Sequence, residues 1–540
     1  MSNRLYRPAL AVPLLLAVLT ACGGGATVGP APATAPATSS HPASPNLGSP
    51  SPANSPSPRA SGVPASSPSP GVPGAASAAP TASASPGSPA SPVASPRASA
   101  SPGATTAAIK HVVIIIQENR TFDNLFHGFS EPSGAKANYA DFGFDRAGNK
   151  IALTQVPFEN AFDPNNYHAD FLADYDGGKM DGFYDNNASI AGASTANNGL
   201  SYLPQTEVQP YWDMATNGAL AENAFHGVTG PTYPSHLEFV AASTTYDGDP
   251  SHRVIDSPTQ ASLGWGCEDP YPMEKVGTLD ASGQEVPGPF PCYSVSTLAD
   301  LLQNANHSWH FYSGPTQAPN SPVTAGGQTA TTPGGNLEAL ASYRQIYYGA
   351  TWSANAIQPE TQILKDVAAG TLADVTWVTP DGANTDHVGL SSSSGPQWVG
   401  TVVNAIGASP FWNSTAIFVT WDDWGGLYDH VAPPQKYAPY GLSFRIPIIC
   451  VSPYAKHGRL IDDVLEPGSI LRYAEETFGL PSLGREDATA NSASAMLDLT
   501  QPPAAFKTIS TRLRREYFLS RKPSYLPLDR DELGPVHPRG

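Results

Sequence analysis

Residues 109–129 read IKHVVIIIQENRTFDNLFHGF, and the fold turns on how this run is understood. Val112 to Ile116 is an unbroken β-branched run with polar residues on both sides. Such a run reads as a strand buried on both faces of a parallel sheet. A carboxylate, Glu118, and an amide, Asn119, follow it directly. In open α/β sheets, ligands bind outside the carboxyl ends of the strands. The stretch therefore reads as one wall of an active site.

A second run of the same type lies some 300 residues downstream. Thr415 to Trp421 is apolar and β-branched, and it ends in Asp422-Asp423. If the two strands are neighbours, four oxygen donors converge, three of them anionic. Carboxylates packed together raise one another's pKa unless a cation sits between them. An all-oxygen set suits one hard divalent ion: Ca²⁺, Mg²⁺ or Mn²⁺. The expectation is that Glu118 and Asn119 lie within coordination reach of Asp422 and Asp423.

Between and around these runs, strands alternate with helices. Ser308–Tyr312, Val375–Val378 and Ile446–Val451 read as further strands. Residues 206–225, Leu237–Ser243, Ser296–Asn304, Leu337–Tyr348, Gln362–Ala368, Gly400–Ile406 and Ser469–Phe478 read as helices, the last stopped by Gly479. Alternation of this kind predicts an α/β fold, doubly wound, with a mostly parallel sheet and helices on both faces. Residues 131–205 are polar and turn-rich, and residues 246–293 read as an insertion.

Not all of the 540 residues belong to that fold. Residues 26–105 are dominated by Pro, Ser and Ala and contain no acidic residue. Such a segment buries too little to offset its ordering entropy, so it reads as a disordered spacer. Ahead of it, Arg4 and Arg7 precede the apolar stretch Ala9–Leu19, too short to span a bilayer. Leu19-Thr20-Ala21-Cys22 then matches a bacterial lipobox. The organisation expected is a lipoprotein signal and acylation site over 1–25, the linker over 26–105, a catalytic domain over 106–506 and an extension over 507–540. An acylated Cys22 would anchor the protein to the outer face of the bacterial cell membrane. A plain secretory signal with a chance cysteine is the alternative.

The formal net charge is −18, and every acidic residue falls after residue 105. A globule this acidic repels nucleic acid phosphates. In an exported protein, Cys267 and Cys292 are expected to form a disulfide, whereas Cys450, inside an apolar run, reads as a buried thiol.

Phe225 to His236 reads FHGVTGPTYPSH. A glycine and two prolines bracket Thr232 and stiffen the turn before a helix. A hydroxyl there is well placed as a nucleophile near partial positive charge. His168, His387 and His430 lie in loops with acidic or glycine neighbours, where they could hold phosphate oxygens or move protons.

These pieces resemble the bacterial phosphoesterase family that contains the non-specific, phosphatidylcholine-preferring phospholipases C and the AcpA-type acid phosphatases, within the alkaline phosphatase-like superfamily. The matching runs are Gln117–Asp123, Gly178–Phe183, Gly230–Pro234, Trp421–Asp423 through Tyr428–Val431, Val451–Ala455 and Ser469–Arg472, in the family's order. The resemblance implies a phosphoric ester hydrolase whose sheet is of the alkaline phosphatase-like type. Glu118, Asn119, Asp422 and Asp423 would bind the metal. Thr232 would form a covalent phospho-enzyme while touching the same ion. His168 and His387 would contact the transferred group or assist proton transfer. His310 is a weaker match, and His430 would brace the metal loop.

Ser235 departs from the family, which usually carries Asn there, and that weakens any transfer of substrate preference. Tyr202, Tyr211, Trp212 and Trp265 are candidates for a lipid-facing rim or for core. The alternative function is a non-catalytic, surface-anchored binding protein with a structural metal site. The Cys-x-Pro-x-Arg nucleophile motif of sulfatase-type chemistry is absent.

Overall fold

A computed structural model describes residues 108–160, 162–186, 199–258, 266–267, 275–315, 323–325, 328–330, 337–389, 393–436 and 441–524. The signal, Cys22, the linker and Trp265 lie outside these residues, as does the extension beyond residue 524.

Eight strands build the central sheet: β1 His111–Gln117, β2 Ala219–Ala221, β3 Trp309–Tyr312, β4 Ala356–Ile357, β5 Val375–Val378, β6 Thr415–Trp421, β7 Ile448–Val451 and β8 Arg459–Ile461. Their order is β4-β3-β5-β1-β6-β7-β2-β8. Only β7 runs against its neighbours; the other pairs are parallel. The helices that position the site and cover the sheet are α1 Phe122–Phe126, α2 His168–Tyr175, α3 Gln209–Asn217, α4 Thr232–Ala241, α5 Leu298–Asn304, α6 Gln362–Ala368, α7 Gly395–Gly407 and α8 Pro467–Phe478.

The β-branched run does what its composition demands. Every residue of β1 after His111 is buried. Because side chains alternate across a strand, Val112, Ile114 and Ile116 face one core, with α4, α5 and α8. Val113 and Ile115 face the other, with α3, α6 and α7. Each such side chain taken fully from water contributes about 1.5–3 kcal/mol. The fold is thus the doubly wound α/β arrangement that the sequence predicts.

Several boundaries differ from the expectation, each for a local reason. The helix read over 206–225 ends at Asn217, and the chain enters β2 at Ala219–Ala221. A side chain at Gly218 would meet the Cys450 carbonyl oxygen at 2.2 Å, so only glycine passes there. Ala-Leu-Ala has no strand signature; it is a strand because it is paired between β7 and β8. Strand β7 starts at Ile448 rather than Ile446, directly after Pro447, which has no N–H for a ladder. Helix α4 starts at Thr232 rather than Leu237, because Pro234 sits in the first turn, where N–H groups have no partner to lose. Helix α7 likewise starts at Gly395-Pro396 rather than Gly400. Leu337–Tyr348 is a 3₁₀ turn, Ala339–Ser342, followed by a short helix, Arg344–Tyr347.

Cys267 and Cys292 form a disulfide, with Cα atoms 4.7 Å apart, and Cys450 is a buried free thiol. The tail packs on the domain: Phe518 is buried against Trp398 of α7, and Asn404 exchanges hydrogen bonds with the Ile509 backbone. No helix among the described residues is long and apolar enough to cross a membrane.

Candidate active site

Parallel pairing sets the site. In the β1–β6 register, Gln117 is opposite Trp421, so the next residues, Glu118 and Asp422, leave the sheet side by side. Asn119 then adopts the left-handed conformation at φ 58°, which Asn tolerates better than most residues. That turn aims its N–H at Asp422 Oδ1, 2.8 Å away. Gly425, at φ 58°, folds the following loop back onto Asn119, and a side chain there would lie 2.6 Å from the Asn119 Cβ.

Glu118, Asp422 and His236 each offer a ligand atom, and these atoms lie within 4.8 Å of one another. All three residues are buried. His236 Nε2 stands 3.5 Å from Glu118 Oε1 and 3.6 Å from Asp422 Oδ2, beyond hydrogen-bond length. Two ligands of one ion at 2.0–2.6 Å can be about 5 Å apart at most, so the spacing fits a single cation. Asn119 Oδ1 and Asp422 Oδ2 are buried atoms with no hydrogen bond among the described residues. Orphaned hard oxygens beside Glu118 are what a divalent ion would satisfy. Burial pushes the Asp422 carboxyl up, but His236 and the amides of Asn119 and Asp423 more than offset that and hold it below the usual range.

Asp423 is fully buried and hydrogen-bonded. Its two oxygens accept from Asn166 Nδ2 at 3.2 and 3.0 Å, and Oδ1 also accepts from the Gly425 N–H. The structure thus brings together Glu118, Asn119 and Asp422 and adds His236, while the Asp423 carboxylate is engaged by Asn166.

Thr232 is buried as the first residue of α4. His236 follows four residues later, so both lie on one helix face and Thr232 shares the orientation of the ring between the carboxylates. The turn is tight: a side chain at Gly230 would sit 1.9 Å from the Ile255 carbonyl oxygen. Ser235 stabilises it, since its hydroxyl donates to the Pro231 carbonyl at 2.5 Å.

His168 opens α2 and leans on the same turn. Its Nδ1 is 2.7 Å from the Thr229 carbonyl, so Nδ1 carries the proton and Nε2 the lone pair. Burial lowers its pKa below 6.5, which keeps the ring neutral at pH 7. His387 Nδ1 donates to the Val388 carbonyl at 2.6 Å, and Nε2 accepts from Asn119 Nδ2 at 3.2 Å. The ring therefore fixes the Asn119 amide, leaving Oδ1 as its other end. His226 is fully buried near Asp422 and His236, and burial pushes it down to about 3.

His430 belongs to a different cluster. Its Nδ1 is 2.7 Å from Asp123 Oδ2, and Arg445 bonds both Asp123, at 3.0 Å, and Asp429, at 3.1 Å. A guanidinium already balances these carboxylates, so this group needs no metal. His310 lies on β3 beside Tyr312, whose hydroxyl donates to Asp366. Of the rim candidates, Tyr211 is fully buried, and its hydroxyl donates to Asp386 at 2.6 Å. Burial raises Asp386 to about 6 against the opposing pull of Tyr211, Arg120 and Trp421.

His236, His226 and Asn166 were not singled out in sequence. His236 stands four residues after Thr232, a spacing that becomes a helical one only because α4 starts at Thr232 rather than at Leu237.

The chain matches the profile of the Phosphoesterase family over residues 109–481. It is 24% identical over 413 residues to the non-hemolytic phospholipase C of Burkholderia pseudomallei, covering 69% of this chain and 56% of that protein. It is 23% identical over 454 residues to phospholipase C A of Mycobacterium tuberculosis, covering 74% and 80% respectively. The chain thus spans little more than half the length of the first relative. Among solved structures, an alkaline phosphatase superfamily protein from Vibrio parahaemolyticus aligns over 72% of each chain at 11% identity, with a TM-score of 0.29. The profile takes in both strand ends, the Thr232 turn and the His387 loop, and the chain belongs to the phosphoesterase family.

Proposed function

We propose that the protein is a metal-dependent hydrolase of phosphoric esters, of the phospholipase C-like kind, acting through a covalent phosphoryl group on Thr232. The observation that carries this reading is the buried group of Glu118, Asp422 and His236, the histidine standing four residues after Thr232 on α4. Neither a structural cation site nor an ordinary helix start requires the other.

In this reading Glu118, Asn119 and Asp422 hold one hard divalent ion, with Asp423 completing the set or holding the loop through Asn166. Such an ion would offset the carboxylates and the charge on the phosphoryl oxygens. The Thr232 oxygen attacks phosphorus, its proton leaves to a base, and the ester oxygen departs with a proton in return. Water then attacks the phospho-threonine, releasing phosphate or a phosphomonoester and restoring the hydroxyl. His168 is assigned the proton transfers, because its neutral ring is tethered to the Thr232 turn. His387 acts through Asn119, orienting its amide. The N-terminus of α4 adds partial positive charge at the nucleophile. On sequence grounds alone, we extend the proposal to anchoring through an acylated Cys22 on the outer membrane face.

The test is hydrolysis of p-nitrophenyl phosphate and p-nitrophenyl phosphorylcholine by the wild type and by Thr232→Ala. The expected result is activity on at least one ester and a loss of about 10³-fold or more in kcat for the variant, as for the removal of nucleophiles elsewhere. A variant that keeps wild-type kcat overturns the covalent mechanism. An inactive wild type that still binds cation leaves the alternative of a surface-anchored binding protein.

A further inference from the structure

The tail beyond the family-matching region reaches back to the loop that carries His387. Arg521 Nη2 lies 2.8 Å from both oxygens of Asp381, and the Ser524 N–H donates to the same carboxylate at 2.8 Å. Arg521 is also 3.7 Å from Glu360 Oε1. Both carboxylate side chains are fully buried. Glu360 in turn accepts from Asn384 Nδ2 at 2.8 Å. The Asn384 carbonyl accepts from Gln117 Nε2 at 3.1 Å, and Gln117 Oε1 accepts from the Asp386 N–H at 3.0 Å. Gln117 is the last residue of β1, adjacent to Glu118, and His387 follows Asp386 to meet Asn119.

We propose that Arg521 is a positioning residue: from the C-terminal segment it fixes the 381–387 loop, and through it the His387–Asn119 pair at the active site. The physical reason is charge. Two buried acidic groups meet at the base of the loop: burial and the neighbouring Asp381 push the Glu360 carboxyl up to about 8, and a cation there opposes that rise while pairing with Asp381. Arg521 supplies that cation from outside the sequence region that the family shares. One guanidinium nitrogen, Nη2, reaches both oxygens of the Asp381 carboxylate. The tail thereby becomes part of the catalytic scaffold rather than a loose appendage. The effect on turnover rests on the proposed hydrolase reading; the link to His387 does not.

The experiment uses the full chain with Arg521→Gln, Arg521→Lys, Asp381→Asn and the Arg521→Gln/Asp381→Asn pair. Steady-state kinetics on the ester hydrolysed by the wild type are combined with imidazole NMR of histidine-labelled protein, the His387 signal being assigned with His387→Gln. Arg521→Gln is expected to shift the His387 resonance and to lower kcat by about 10- to 100-fold, with KM within about twofold. Arg521→Lys should recover part of both. The double variant should be no worse than the worse single one, because both changes break one contact. An unmoved His387 resonance, or a kcat loss that disappears once the folded fraction is matched by cooling, overturns the proposal. If the wild type hydrolyses neither ester, the hydrolase reading fails while the resonance still decides whether Arg521 positions His387.

Discussion

The backbone N–H of Asn119 donates to Asp422 Oδ1 at 2.8 Å across 303 residues of sequence. This bond joins the ends of two adjacent parallel strands, where the Glu118 and Asp422 carboxylates meet His236. Asp422→Asn keeps the shape and removes the charge. Wild-type protein at a divalent cation concentration about 100 times Kd should gain about 2.7 kcal/mol of stability. The variant should show little of that gain in a thermal-shift series with Ca²⁺, Mg²⁺ and Mn²⁺. An equal gain in both proteins would place the cation elsewhere.

Gly230→Ala tests the turn that presents Thr232. The added carbon would sit 1.9 Å from the Ile255 carbonyl oxygen, and the backbone of a fully buried residue yields less readily than the end of a flexible side chain. Overpacking costs about 1–3 kcal/mol where side chains can yield, and this site should lie at or above the top of that range. Denaturant melts give the stability cost. Kinetics on the surviving folded protein should show a lower kcat, because the hydroxyl moves with the turn. A variant with unchanged stability and turnover would mean that the turn is soft.

Much of this architecture was legible in the sequence because its signals are local. A run such as Val112–Ile116 has no other comfortable environment than a two-sided sheet, and a strand end followed by carboxylates marks where ligands sit. What sequence could not show depends on tertiary pairing. Ala219–Ala221 is a strand only because β7 and β8 flank it. His236 reads in sequence as part of the turn before a helix at Leu237; the structure puts it inside α4, 3.5 Å from Glu118 at the end of β1. Asp423 stands next to Asp422 in sequence, yet its carboxylate accepts from Asn166, 257 residues away. Arg521 carried no signal at all, since nothing in a basic tail says which carboxylates it will meet.

Arg445→Met separates the two acidic clusters by their counter-ions. Arg445 is fully buried and is the cation for Asp123 and Asp429. Breaking a buried pair by removing one partner costs about 3–5 kcal/mol. The variant should lose about that much stability in denaturant melts, and divalent cations should not restore it. Rescue by Ca²⁺ or Mn²⁺ would instead make the Asp123–Asp429–His430 group a metal site.

Glu475, on α8, gives a pH test away from the catalytic groups. Burial pushes its carboxyl up to about 8, and the nearby Asp487 adds to the rise, while the Leu483 N–H works against it. The folded pKa lies above the ordinary value of 4.5, so the folded chain binds this proton more tightly than the unfolded chain. The contribution to stability is fully present below about 4.5 and is lost as pH rises through about 8. Glu475→Gln keeps the acceptor for Leu483 and removes the ionisation. Its Tm should exceed that of the wild type at pH 9, and the two should converge at pH 5, where the wild-type carboxyl is protonated in the fold. Scanning calorimetry of both proteins at the two pH values measures this directly. A difference in Tm that is the same at pH 5 and pH 9 would show that Glu475 ionises in the fold no differently from an exposed glutamate.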